Sequence, residues 1–132
     1  MSDLSWPLQQ ALYDALLADA GLVALMSGVY DQAPAEAVLP YVTLGPASAT
    51  DWSSASFAGQ DHDLAVDVWS AGPGHGEAKR IMAAVYGALH DRDLQITGGN
   101  LVLLHFRFLD VFTDPDGDTV HGAMRFRALT HS

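Results

Sequence analysis

The chain of 132 residues contains no cysteine, and its first 78 residues contain no lysine or arginine. The lack of cysteine excludes disulfide scaffolds, thiolate metal sites and cysteine nucleophiles, and it permits a reducing compartment. No apolar run approaches the ~20 residues that are needed to span a bilayer, and Met1-Ser2-Asp3 does not resemble the start of a signal peptide. We therefore expect a soluble protein that is made and used in the cytoplasm.

The charges are strongly segregated along the chain. The cation-free first part holds ten of the 16 carboxylates, whereas all six cations lie in the last 54 residues with the other six carboxylates. A net charge of −10 disfavours binding to nucleic acid or to an anionic membrane. The polarity suits contact between an acidic patch on one copy and a cationic patch on the next.

The first part of the chain predicts two helices and a short strand. Ser5-Trp6-Pro7 is typical of a helix start, with Ser5 as the capping residue. Residues 22–26 predict a short second helix. Residues 41–44 predict a strand that ends at Gly45-Pro46. The serine-rich stretch 47–59 predicts a mobile loop, or a strand that orders only on contact with a partner.

The next strand shows a clean alternation over residues 61–70. Asp63, Asp67 and Trp69 share one face of this strand, and the apolar residues share the other with His62. A glycine-rich stretch, 72–76, precedes a predicted amphipathic helix. The residues that we expect on its inward face are Ala78, Ile81, Met82, Val85 and Leu89.

Two further strands close the chain. Residues 94–112 predict one or two strands around Gly98-Gly99, and residues 119–130 predict the last strand. Between them, residues 114–118 have strong turn chemistry. If Thr113 faces Thr119, the pairs are Phe106 with Phe126, Phe108 with Met124, Leu104 with Ala128, Arg107 with Arg125 and His105 with Arg127.

This order of elements predicts the α+β class. We expect one domain, residues 1–132, with a mostly antiparallel sheet and helices packed on one face.

Three arginines on one face of the closing hairpin are the main candidate site. Arg107, Arg125 and Arg127 are half of all the cations, and like charges across a strand pair are destabilising unless an anion intervenes. Two interpretations remain open, and both can hold at different positions. Asp63 and Asp67 can form ion pairs with the arginines within one chain, or the arginines can meet carboxylates of another subunit.

Other motifs have weaker functional interpretations. Residues 114–118 alternate carboxylates with a glycine, but they lack the rest of a calcium loop and sit between strands, so we expect a hairpin turn. The six histidines show no zinc-binding spacing, and residues 72–76 lack the lysine of a phosphate-binding loop. We predict no catalytic, cofactor or metal site. The alternative is a small ligand-binding or enzymatic domain that uses His62, Asp63 and the turn around His75.

Three tryptophans are expected in the core or at interfaces. Among Trp6, Trp52 and Trp69, we single out Trp52 for docking onto another chain, because it lies within the polar loop.

Several stretches resemble a family of small phage tail-completion proteins. They are Leu39-Pro40-Tyr41-Val42-Thr43-Leu44-Gly45, Leu64-Ala65-Val66-Asp67-Val68-Trp69-Ser70, Ala88-Leu89 and Gly122-Ala123-Met124-Arg125-Phe126-Arg127. The resemblance covers residues 5–130, and the ordered set carries it more than any single motif. The family is similar to the tail terminators of long non-contractile tails, in siphophages and in gene transfer agents.

The resemblance implies a structural role without catalysis. The implied protein is assembled in the bacterial cytoplasm as a hexameric ring, located in the particle at the head–tail junction. Its implied partners are copies of itself, the tail tube protein and the head–neck connector protein, with DNA only as passing cargo and no membrane. Another connector ring, a stopper or an adaptor, is the alternative within this class.

Overall fold

The computed structural model describes residues 3–132, which form a five-stranded sheet with helices on one face. The helices are α1 (Ser5–Ala18), α2 (Ala20–Val23) and α3 (Gly76–Leu89). The strands are β1 (Val29–Tyr30), β2 (Tyr41–Asp51), β3 (Gly59–Ala71), β4 (Asn100–Thr113) and β5 (Thr119–His131). The spatial order is β1-β2-β3-β5-β4, in which β1 and β2 are parallel and all other neighbours antiparallel. The predicted α+β class is confirmed.

One apolar core lies between the helices and the inner face of the sheet. Phe126 of β5 is fully buried at its centre, with Leu8 and Leu16 from α1 and Ile81 and Val85 from α3. α1 packs over β1 and β2, whereas α3 packs over β3, β5 and β4. The opposite face of the sheet, here called the outer face, carries none of the three helices. Among residues 3–132 no helix is long and apolar enough to cross a membrane.

The start of α1 differs from the predicted cap. Leu4 occupies the N-cap position and makes no side-chain cap hydrogen bond, and Ser5 is already helical. The Asp3 carboxylate accepts hydrogen bonds from the backbone N–H and the hydroxyl of Ser5, at 3.0 and 2.7 Å. Asp19 caps the next helix, because its carboxylate accepts from the backbone N–H of Leu22 at 2.9 Å.

The prediction that the strand ends at Gly45-Pro46 is wrong. β2 continues to Asp51, and a bulge between Leu44 and Ala47 absorbs the interruption. Ala47 to Asp51 pair with β3, so this part of the serine-rich stretch is a strand in the isolated chain and the loop shrinks to residues 52–58.

The alternation predicted for β3 is confirmed. His62, Leu64, Val66 and Val68 are buried against the helices, whereas Asp63, Asp67 and Trp69 lie on the outer face. Ser70, at the end of the same buried row, donates a hydrogen bond of 2.7 Å to Glu77 in the first turn of α3. This bond ties the end of β3 to the helix that follows it. α3 also buries the five residues predicted for its inward face.

The predicted register of the closing hairpin holds in only one half. The pairs Leu104–Ala128, His105–Arg127 and Phe106–Phe126 are present. A bulge between Phe106 and Phe108 then shifts the register by one residue. As a result Phe108 faces Arg125, Leu109 faces Met124 and Thr113 faces Val120. Arg107 is the extra residue of the bulge, so the bulge separates the two arginines that were predicted to oppose each other. The residues before Asn100 form no strand.

Candidate functional site: the outer face and the two sides of the sheet

The outer face brings carboxylates of β3 beside arginines of the hairpin, as their alternation predicts. Arg127 donates two hydrogen bonds to Asp61, from Nε to Oδ1 at 3.1 Å and from Nη2 to Oδ2 at 2.8 Å. This pair holds the pKa of the Asp61 carboxyl below its ordinary value and raises the pKa of Arg127. Arg107 lies beside Asp63, with 3.7 Å between Nη1 and Oδ1. Both arginines therefore have a carboxylate of their own sheet beside them, but Arg127 pairs with Asp61 and not with the predicted Asp63 or Asp67.

Asp67 has a histidine partner instead of an arginine. Its Oδ1 lies 2.7 Å from Nε2 of His121, and both side chains are largely buried. The imidazole of His121 stacks on Trp69, with ring centroids 4.0 Å apart, and meets Phe112 edge-on at 4.9 Å. Trp69 in turn donates to the hydroxyl of Thr43 at 3.0 Å. These contacts form a continuous row across four strands of the outer face.

Arg125 is the arginine of the outer face that makes no ion pair with any residue from 3 to 132. It lies opposite Phe108, whose side chain is 51% exposed on the edge strand β4. A cation and a large apolar group are thus presented together beside the sheet edge. Such a pair suits contact with another protein surface better than it suits bulk water.

Trp52 lies in the loop of residues 52–58 and is half-buried. Its ring meets Phe57 edge-on with centroids 5.3 Å apart, and Phe57 in turn lies 5.4 Å from the ring of His131. Gly59 closes the loop in a place where a Cβ would lie 2.7 Å from the backbone oxygen of Trp52. The tryptophan is therefore anchored in its own loop and shows only part of its surface.

The histidines of the proposed small-molecule site do not come together. His62 is buried on the inner face, where its Nε2 shares a hydrogen bond of 2.8 Å with Thr130 Oγ1. Burial lowers the pKa of His62, and the nearby Asp3 and Asp61 partly oppose this shift. His75 lies beyond the far end of β3, with its Nε2 at 3.2 Å from Thr113 Oγ1. At a strand rise of about 3.3 Å per residue, the two rings are roughly 30 Å apart.

The turn between β4 and β5 is held by hydrogen bonds to the carboxylate of its central residue, Asp116. Asp116 accepts hydrogen bonds from the backbone of Asp118 and Thr119 and from the hydroxyl of Thr119, at 2.8, 2.9 and 2.8 Å. These bonds lower the pKa of Asp116. Gly117 has φ +79°, which a glycine adopts without strain. The expected hairpin turn is confirmed, and within residues 3–132 no group of three or more His, Asp or Glu is placed to hold a metal ion.

An exposed apolar stripe on α1 was missed by the sequence analysis. Trp6, Tyr13 and Leu17 are 58%, 39% and 41% exposed. Their spacing of seven and four residues puts them in one row, with Gln10 between the first two and opposite the face that packs on the core. The helix is thus apolar on two sides. The signal was present in the sequence, but only the buried stripe was recognised.

A second apolar surface lies at the other side of the sheet. A groove of about 400 Å³ runs between α3 and β4, and its lining is almost entirely apolar. Met82, Phe106 and Leu109 line it together with the exposed Tyr86 and Ala83, and Lys79 lies at its rim. No sequence pattern predicts this groove, because its walls come from two elements that meet only in the folded chain.

Comparison with known proteins identifies the family. The family model described as "Tail completion protein gp17" matches residues 10–131. The chain belongs to this family. Tail completion protein gp17 of Bacillus phage SPP1 is 29% identical over 120 residues, which make up 91% of this chain and 89% of the phage protein. The resemblance drawn from the sequence is therefore confirmed.

Two solved structures extend this relation to the whole fold. A chain in the structure of the virion of a native gene transfer agent (GTA) particle has a TM-score of 0.92 and 34% sequence identity, over 100% of both chains. The structure of bacteriophage SPP1 gp17 has a TM-score of 0.64 and 26% identity, over 97% of this chain and 95% of the phage chain.

Proposed function

We propose that this chain is a structural protein of a phage-like particle and acts as the tail terminator. In this role, copies of the chain form a ring, a hexamer, that caps the last ring of the tail tube and joins it to the head–neck connector. The ring would be assembled in the bacterial cytoplasm and would remain in the particle at the head–tail junction.

The full-length match to a chain of a gene transfer agent virion is the observation that carries this proposal. The TM-score of 0.92 shows that the two chains share the same fold over their whole length. The membership in the tail completion family points the same way. The charge segregation adds physical support, because a ring is built from unlike surfaces that meet head to tail.

The outer face of the sheet is the surface on which the sequence analysis places subunit contact. Arg125 is the strongest member of the predicted set, because Arg107, Arg127, Asp63 and Asp67 already have partners in their own sheet. Those four residues would lie around Arg125 and would contact the neighbouring subunit through the parts of their side chains that remain exposed. Trp52 would contribute the exposed part of its ring.

A lumen lined by carboxylates would let DNA pass without binding. The net charge of −10 repels the phosphate backbone, so DNA is expected as passing cargo and not as a specific ligand. No role in catalysis and no cofactor are assigned. The separation of His62 from His75 argues against the small-molecule site that the sequence alone left open.

Deleting the gene in a strain that produces the particles tests the proposed role. We expect filled heads and separate, unjoined tails, and we expect an antibody label on the complemented particles to lie at the junction. A stopper or adaptor ring, the alternative in the same class, would instead leave heads that lose their DNA or lack a connector. Joined particles of normal appearance would contradict both roles.

A further inference from the structure

The two exposed apolar surfaces lie at opposite sides of the sheet. α1 covers β1 and β2, whereas the groove lies beside β4 at the other edge. None of the exposed residues of the stripe lines the groove, so the two surfaces are separate patches. A molecule with two unlike apolar surfaces on opposite sides can join copies of itself head to tail.

The two surfaces also differ in charge. Asp14 is exposed on α1 beside the apolar stripe, and the whole segment 3–78 offers no cation. At the groove, Lys79 lies on the rim and Arg80 is exposed next to it on α3. Contact between two stripes would bring carboxylates against carboxylates, whereas contact between a stripe and a groove would bring opposite charges together.

The shapes agree with the same pairing. Trp6 is the largest exposed apolar side chain on α1 and lies in the first turn of the helix. The groove provides an apolar floor with room for such a side chain. A tryptophan that enters a desolvated pocket is the kind of anchor that dominates the energy of protein interfaces.

We infer that the exposed stripe of α1, centred on Trp6 and Tyr13, docks into the α3–β4 groove of a second copy of this chain. Asp14 then faces Lys79 and Arg80 of that copy. The contact joins one surface of each subunit to a different surface of the next, which is the head-to-tail arrangement that the proposed ring requires. On the other side of the same β4 edge, Arg125 and Phe108 extend the surface. This inference deepens the proposed function and rests on it.

The cysteine-free chain allows a direct test by cross-linking. Gln10→Cys places a thiol on the exposed stripe, and Ala83→Cys places one on the groove; both positions are exposed. The two substitutions together, in particles treated with a short bis-maleimide, should give a ladder that ends at the full ring. Each substitution alone should give no ladder. Monomers from the double variant, or dimers from either single variant, would overturn the inference.

A charge-exchange series checks the same contact without a reagent. Lys79→Glu with Arg80→Glu should abolish assembly of the ring, and adding Asp14→Lys should restore it. Arg92→Glu, which removes another exposed cation but lies away from the groove, is the matched control and should assemble. Circular dichroism of each purified variant shows that the chain is folded. Normal assembly of the Lys79/Arg80 variant, or failure of Asp14→Lys to rescue it, would refute the pairing.

The outcome separates this inference from the proposed function. If the label lies at the head–tail junction but the cross-linked ladder is absent, the terminator role stands and the surfaces are wrong. If the chain is absent from particles, the terminator role falls, and concentrated purified protein still reports whether its copies join through these surfaces. If the double variant cross-links to the tube protein instead of to itself, the stripe and groove serve the tube contact and the inference is overturned.

Discussion

Arg127 of β5 and Asp61 of β3 lie diagonally across neighbouring strands and are joined by two hydrogen bonds. These bonds hold both side chains on the outer face, and each charge has a partner of opposite sign. The carboxylate beside Arg127 comes from its own sheet, which is the arrangement that the intrachain interpretation describes. Arg125 lies two residues away in the same strand and makes no ion pair with any residue from 3 to 132.

The Arg127–Asp61 pair should make stability depend on acidity. The folded pKa of Asp61 is lower than its ordinary value of 3.8, so its stabilising contribution is present above that pH and is lost as the pH falls through the folded pKa. We expect Arg127→Gln to lower the melting temperature at neutral pH and to have no effect once Asp61 is protonated. Thermal unfolding over a pH series measures this. Arg80→Gln, which removes an exposed charge of α3, is the control, and an equal loss at all pH values would contradict the prediction.

His62 should make the fold less stable in mild acid. Burial holds its folded pKa below 6.5, so the unfolded chain binds a proton that the folded chain resists. Stability is therefore complete above pH 6.5 and falls as the pH drops toward the folded pKa. His62→Gln, which can still bond Thr130, should remove this part of the pH dependence in urea unfolding. An NMR titration that places the pKa of His62 above 6.5 would disprove the prediction.

A side chain at Gly122 should force the side chain of Met82 to move. A Cβ at Gly122 would lie 2.6 Å from the sulfur of Met82, and both residues are buried. We expect Gly122→Ala to cost about 1–3 kcal/mol by overpacking and Met82→Ala to cost about 2–5 kcal/mol by leaving a cavity. Together they should cost less than the sum, because the new methyl group fills part of that cavity. Denaturant unfolding measures the cycle, and additivity within about 0.5 kcal/mol would count against the contact.

Arg125 should matter for assembly and not for folding. Arg125→Glu removes no ion pair found in the described part of the chain, so we expect a normal melting temperature and a loss of incorporation into particles. Arg125→Lys keeps the charge and should be incorporated. Immunoblots of purified particles measure both. Normal incorporation of the glutamate variant would assign the arginine cluster to the intrachain interpretation throughout.

The strands were predictable where the chain alternates without interruption. In β3 the polar residues Asp63 and Asp67 mark the outer face, and the apolar residues between them mark the core. The amphipathic helix α3 followed for the same reason, since a period of 3.6 residues concentrates its apolar side chains on one side. Both elements are long enough for the pattern to dominate over local exceptions.

The two bulges were not predictable from the pattern. Gly45-Pro46 has the composition of a strand end, yet the pairing resumes at Ala47 because a bulge accommodates residues that a regular ladder cannot. At Arg107 the apolar pattern fits a regular strand and a bulged strand equally well, since Phe108 and Leu109 are both apolar and either can face the core. In the structure Leu109 is paired with the buried Met124, which places Leu109 on the inner face.

Of the two candidate docking surfaces, one can be predicted from the sequence and the other cannot. The row of Trp6, Tyr13 and Leu17 can be read from helical spacing once both sides of α1 are considered. The groove that we pair with it depends on Tyr86 of α3 lying beside Leu109 of β4. That proximity is set by the crossing of a helix over a sheet edge, which local sequence does not specify.

β4 is an edge strand of 14 residues, and no strand among residues 3–132 pairs with its free edge. A free edge of this length can form backbone hydrogen bonds with a strand of another chain, including another copy of this chain in an incorrect arrangement. The surplus of negative charge opposes such encounters, and dissolved salt weakens that opposition. If the proposed function holds, this repulsion keeps newly made chains dispersed before they join a particle, and a higher ionic strength shortens the time for which they remain apart.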